Sequence, residues 1–324
     1  MSLLESRVGY RPFSYPWAYK NWETQQAIHW LPSEVPMAED VQDWKNKVTE
    51  PERNLLTQIF RFFTQADICV CEDAYLDKYI PIFKPTEIRM MLISFANTET
   101  IHVAAYSHLL DTLGMPETEY LAFMKYKEMK DKHDYMQTFN IDSKEGIALS
   151  LAGFSAFQEG LALFASFAML LNFPRRNLMK GMGQILAWSQ RDEALHVDGM
   201  IKLFKTFIKE NKEIWTDELK AKILDIAIKT VEHEDAFIDL AFGVGGIEGM
   251  TPDDIKQYIR YIADRRLLQL GLKTHFKVKK NPLLWLEEIL NGVEHSNFFE
   301  QRSTEYSKGA STGSWEDAFS HFDS

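Results

Sequence analysis

Two tetrapeptides share one form, Glu99-Thr-Ile-His102 and Glu193-Ala-Leu-His196. Residues three apart on a helix lie on one face, so each pair can aim a carboxylate oxygen and an imidazole nitrogen at a common point. A single pair of this kind is ordinary on a solvated helix. Here both pairs sit in apolar runs, MMLISFANTETIHVAAY and ILAWSQRDEALHVDGM, where unpaired charge is expensive. Two further acids share that predicament. Asp67 follows FRFFTQA, and Glu159 stands inside the apolar run IALSLAGFSAFQEGLALFASFAMLLNF over residues 147–173. Carboxylates are hard donors able to bridge two cations, and one imidazole per cation leaves positions open to dioxygen or water. Four carboxylates also balance the charge of two divalent ions.

Helices must position these side chains. Glycine and proline are sparse, 16 and 11 in 324 residues, and stretches such as 50–79 and 84–113 place apolar residues at three- and four-residue spacing. Breaks are predicted at Pro81 and Pro85, at 114–116, 140–143, 172–174 and 243–252, and at Asn281 and Pro282. Asp142 or Ser143 is expected to cap the apolar helix, and Thr251 with Pro252 and Asp254 to open another. The fold class is all-α. Two helices giving Glu-x-x-His and two giving a lone carboxylate match the ligand inventory of a ferritin-like bundle with a dinuclear metal site between four core helices. One helical domain is expected over 1–300, with 1–45 a Trp- and Pro-rich arm packed on it. Residues 301–324 are polar and small and read as a flexible tail. The aromatic-acidic ending, with Trp315, Phe319 and Phe322, suits a groove on a partner.

Composition narrows the class. With 45% hydrophobic residues there is material for a large core. The balance of 36 basic against 47 acidic residues, net −11, opposes a phosphate-gripping surface, so nucleic acid is not an expected partner. Cys69 and Cys71 are spaced awkwardly for a mutual bridge and read as small buried hydrophobes in a reducing cytoplasm. The first residues lack the basic and apolar regions of a secretory signal. The run at 147–173 is long enough to span a bilayer, but a mid-membrane carboxylate costs about 2.5–3.5 kcal/mol, so a buried core helix is expected and no membrane.

The bundle type alone serves ferroxidases, desaturases, hydroxylases and radical generators. Tyr106, one turn after His102, puts a phenol on the metal-facing side. With the segments FTQAD, ANTETIHVAAYSHLL, FQEGLALFASF and SQRDEALH, the chain resembles the small, radical-generating beta subunit of class I ribonucleotide reductase along nearly its whole length. The resemblance implies Asp67, Glu99, His102, Glu159, Glu193 and His196 as metal ligands, and Tyr106 as the tyrosine oxidised to a stable radical. It implies two metal ions per chain, di-iron first, with di-manganese or manganese–iron as alternatives. Asp at 67 and Tyr at 106 fit the tyrosyl-radical branch better than the branch with Glu and Phe there.

Further implications concern long-range transfer. Trp30 matches a tryptophan hydrogen-bonded to an aspartate, here Asp192, that orients His102. Tyr306 is the counterpart of a tail tyrosine relaying the radical, and 315–324 of the peptide that docks on the large catalytic subunit, where ribonucleotides become deoxyribonucleotides. The absence of a Gly-rich phosphate loop in this chain agrees with that division. A homodimer is expected, with dioxygen or a reduced oxygen species as oxidant. Leu163 and Phe167 fit an apolar radical pocket, whereas Ser189 is more polar than the usual aliphatic residue. Two other readings compete: a dimetal oxygenase or desaturase acting on its own substrate, and a ferritin-like metal store.

Overall fold

The three- and four-residue apolar spacing folds into helices that end at the turn residues. The computed structural model describes residues 2–289. They include α1 (Pro16–Ala27), α2 (Ala38–Asn46), α3 (Glu50–Cys69), the one-turn α4 (Ile80–Ile82), α5 (Thr86–Leu113), α6 (Lys127–Met136) and α7 (Lys144–Leu151). After these come α8 (Leu163–Arg175), α9 (Lys180–Glu210), α10 (Asp217–Ala241) and α11 (Pro252–Gln269). Two π-helical stretches, Val70–Tyr79 and Ala152–Ala162, join α3 to α4 and α7 to α8. No strand occurs among the described residues, apart from an isolated bridge between Ile247 and Met250. One unit runs through Leu284 and a second begins at Trp285; of the latter, 285–289 are helical. Tyr306 and 315–324 lie outside the described residues.

Local chemistry sets the boundaries. Ser143 caps α7 by accepting the Gly146 N–H, and Thr251 and Asp254 form a reciprocal capping box on α11 with Pro252 in the first turn. The arm, expected to carry little period, contains α1 and α2. The first buries the polar Asn21 and Gln25 against the body, which is why no apolar stripe announces it.

At the centre α5 packs on α3 and α9, and α9 packs on the π-helical stretch Ala152–Ala162. The apolar run around Glu159 belongs to a continuous helical segment, Lys144–Arg175, whose most apolar window is wholly buried; α10 and α11 cover it. It is a core helix.

Two devices fix the elements that matter for chemistry. Met179, in the left-handed region, gives α9 no side-chain cap. Asp40 and Asp43 of α2 supply one, accepting the N–H groups of Gly181 (3.1 Å), Met182 (3.3 Å) and Met179 (2.9 Å) at the positive end of the helix dipole. A Cβ on Gly181 would stand 2.3 Å from Asp40 Oδ2, so only glycine admits that carboxylate. Beside Glu159, Arg266 of α11 donates from Nε to the Gly160 carbonyl at 2.8 Å, and a Cβ at 160 would lie 2.7 Å from the same nitrogen.

Candidate metal centre

The six acids and histidines singled out by spacing converge. Asp67 comes from α3, Glu99 and His102 from α5, Glu159 from the π-helical stretch, and Glu193 and His196 from α9. None is more than 2% exposed, so water does not screen them.

The i, i+3 geometry acts as expected, with an added feature. Glu99 places Oε1 3.0 Å from His196 Nδ1 and Oε2 3.3 Å from His102 Nδ1. Glu193 places Oε1 3.2 Å from His102 Nδ1 and Oε2 3.6 Å from His196 Nδ1. Each of these carboxylates therefore reaches both imidazoles. Asp67 clusters with Glu99 and His102, while Glu159 clusters with Glu99, Glu193 and His196, the donor atoms of each group lying within 4.8 Å of one another.

The donor set fits two divalent cations on its own chemistry. Asp67 Oδ2, Glu99 Oε1, Glu159 Oε2, Glu193 Oε2 and both His196 nitrogens are buried yet make no hydrogen bond of acceptable geometry, although several stand at ion-pair distance. Polar atoms left without hydrogen bonds, in a dry space holding four carboxylates, are arranged as ligands of a common charge. Electrostatics agree. Burial first, then the Glu99 charge, raise Asp67 well above the usual carboxylate range, and burial with the Glu193 charge does the same to Glu159. Burial alone would lower both imidazoles. The carboxylates around them overcome it, raising His102 and pushing His196 up to about 10.

Behind His102 the expected partners are in place. Trp30 Nε1 donates to Asp192 Oδ2 at 2.8 Å, and the same oxygen lies 3.4 Å from His102 Nε2. Burial would raise Asp192, but His102, Arg191 and Trp30 hold it below the usual range. An anionic Asp192 accepts a hydrogen bond from His102 Nε2–H, which turns Nδ1 toward Glu99 and Glu193 as the nitrogen that would meet a cation.

Tyr106 is 4% exposed, its ring centroid 6.5 Å from that of His102 and 4.7 Å from that of Phe63. Phe167 backs Phe63 at 5.9 Å, and Leu163 is buried. Ser189 is also buried. Burial, and then the Asp67 charge, push the Tyr106 phenol far above its ordinary value.

Sequence reasoning misses four neighbours. Tyr75 donates to Glu159 Oε1 at 2.6 Å, Gln25 and Arg191 reach Asp192 Oδ1, and Trp188 packs 5.2 Å from Trp30. Only Tyr75 carries a local signal, standing about two turns beyond Asp67, and the π-helical winding between them hides the shared face.

The chain matches the family model described as "Ribonucleotide reductase, small chain" over residues 7–282. The probable ribonucleoside-diphosphate reductase small subunit of Invertebrate iridescent virus 6 is 46% identical, over 97% of this chain and 98% of that protein. The ribonucleoside-diphosphate reductase subunit beta of Chlamydia pneumoniae is 33% identical, over 91% and 88%. Among solved structures, the ribonucleotide reductase R2 subunit from Clostridium botulinum superposes with a TM-score of 0.81 at 23% identity, covering 88% of this chain and 91% of that one. The dimanganese(II)-NrdF of Streptococcus sanguinis gives 0.76 at 18%, covering 89% and 99%. These two likenesses carry the fold.

Proposed function

The chain belongs to the ribonucleotide reductase small-chain family, whose members work beside a large subunit, and on that premise we propose that it generates the radical that starts nucleotide reduction. Asp67 and His102 would hold one cation and Glu159 and His196 the other, with Glu99 and Glu193 shared. The observation that carries this reading is that Glu99 and Glu193 each present one oxygen to each imidazole. When bound, the two cations supply one-electron oxidising power drawn from dioxygen or a reduced oxygen species. The carboxylate-rich donor set accepts iron or manganese; iron is the first choice.

The rest is the work of this chain. Tyr106 is the phenol from which the electron is drawn, and the rings of Phe63 and Phe167 keep water from it. Asp192 keeps the His102 proton on Nε2 and ties that imidazole to the Trp30 indole, giving a hydrogen-bonded line from the site toward the arm. From Trp30 the oxidising equivalent passes to Tyr306 and, with 315–324 docked, to the large subunit, where ribonucleotides are reduced. A homodimer in the cytoplasm is part of the same reading, and the two free buried cysteines suit that compartment. The relatives favour neither the oxygenase nor the storage reading.

The test is an electron paramagnetic resonance spectrum of the metal-reconstituted protein exposed to oxidant. A tyrosyl signal is expected in the wild type and not in Tyr106→Phe, which also loses nucleotide reduction with the large subunit. Full reduction by Tyr106→Phe would refute the proposal.

A further inference from the structure

The two helices that carry Glu-x-x-His meet in a strict antiparallel register. Glu99 of α5 faces His196 of α9 at 3.0 Å, and His102 faces Glu193 at 3.2 Å, so a step forward along α5 is matched by an equal step back along α9. One turn beyond the second pair, the same register sets Ser189 opposite Tyr106, and a further turn sets Ile185 opposite Leu110. Ile185, Leu110 and Ser189 are all wholly buried, and of the three only Ser189 brings a polar atom. Buried hydroxyls on these helices ordinarily bond to the preceding turn: Ser94 to the Met91 carbonyl at 2.8 Å, Thr98 to that of Ser94 at 2.9 Å, Thr230 to that of Ile226 at 2.9 Å. Ser189 makes no such bond with its own helix. Its hydroxyl acts on the Tyr106 phenol instead, working against the rise that burial and then the Asp67 charge impose there.

A tyrosine hydroxyl can donate and accept, whereas an oxidised tyrosine has no phenolic proton and its oxygen only accepts. We propose that Ser189 is the donor to that oxygen: its hydroxyl, not tied to a carbonyl of its own helix, turns to the oxidised Tyr106 and holds it by a hydrogen bond. The pocket is then apolar where Phe63, Phe167 and Leu163 close it and polar at the one point where α9 passes. This deepens the radical reading above and rests on it.

The probe is the tyrosyl signal of the metal-reconstituted full-length protein, recorded in water and after exchange into deuterium oxide, and it needs no turnover. Electron–nuclear double resonance should show an exchangeable deuteron at hydrogen-bond distance from the phenoxyl oxygen. High-field paramagnetic resonance should give a largest g value below that of a phenoxyl with no donor, because the bond draws electron density from the oxygen. Ser189→Ala should lose the deuteron and raise that g value, while Ser189→Thr, which keeps a hydroxyl, should retain both wild-type features. A wild-type radical without an exchangeable deuteron, or a Ser189→Ala variant that keeps one, as a bound water would provide, would overturn the role of Ser189. Absence of any tyrosyl signal from the wild type would instead sink the radical reading, and this assignment with it.

Discussion

Lys132 of α6 and Glu234 of α10 are 3% and 0% exposed and meet at 2.6 Å, with the ammonium 3.7 Å from the Phe62 ring centre and 4.5 Å from that of Phe237. At an effective dielectric near 20 their attraction is about 6 kcal/mol, while stripping water from each ion costs several kcal/mol. Neither group has a well-formed hydrogen bond to offset that loss. Burial accordingly pushes the Lys132 ammonium down and the Glu234 carboxyl up. The pair should be close to neutral for stability, yet costly to break. Glu234→Leu strands the ammonium and should destabilise by about 3–5 kcal/mol. Lys132→Met should fall at the lower end of that range, because Glu234 can take up a proton. The double variant removes both charges and loses a cation–π contact of about 2 kcal/mol, so it should lie within about 2 kcal/mol of wild type and above either single variant. Urea unfolding of the four metal-free proteins at one fixed concentration measures this. A double variant as unstable as the sum of the singles, or a Glu234→Leu loss under about 1 kcal/mol, would refute the balance.

Burial alone would raise Glu52, but the Thr49 N–H and hydroxyl and then Arg176 at 2.6 Å hold it below the usual range. Its contribution is therefore present above about pH 4.3 and lost as pH falls through its lower folded value, so Glu52→Gln should flatten the acid limb of a stability–pH curve; an unchanged limb refutes this. Gly160→Ala forces a Cβ to 2.7 Å from Arg266 Nε and 3.0 Å from the Ser155 carbonyl. A loss of about 1–3 kcal/mol in thermal denaturation is expected, against a gain of up to about 1 kcal/mol for the same change at an exposed helical site. Asp40→Ala removes two acceptors from the start of α9 and should lower stability by about 1–2 kcal/mol in the same assay. Trp30→Phe loses the bond to Asp192. It should still form the tyrosyl signal but fail in nucleotide reduction with the large subunit, and retained turnover would remove Trp30 from the route.

What is legible in the sequence is what local geometry determines. Glu99 with His102, and Glu193 with His196, are three apart on regular helices, so their shared faces follow from the helical period, and the apolar surroundings of Asp67 and Glu159 mark acids that need partners. Ser143 and Thr251 are legible as caps for the same reason. Lys132 and Glu234 are not, because on sequence alone each is an ordinary charge on an amphipathic helix, and only the meeting of α6 with α10 buries them. The arm hides its helices by burying Asn21 and Gln25 instead of an apolar stripe. Tyr75 is hidden differently. Across Val70–Tyr79 the winding departs from the ordinary helical period, so no face drawn at that period brings the phenol to Glu159.

The repeated Glu-x-x-His suggests a symmetric centre, and the neighbours of the two imidazoles break that symmetry. The His102 half has Tyr106 on one side and the Asp192–Trp30 line on the other, so a phenol and the proposed route for oxidising equivalents adjoin the same imidazole. Among the described residues, no aspartate is hydrogen-bonded to His196. Its ring packs on Phe95 at 4.3 Å, and the extra carboxylate on its side is held by a phenol hydroxyl. On the proposed function, the imidazole that an aspartate orients is the one beside the phenol to be oxidised. On this view Glu99 and Glu193, which serve both halves, should be the least replaceable of the six, since each substitution there disturbs both environments together.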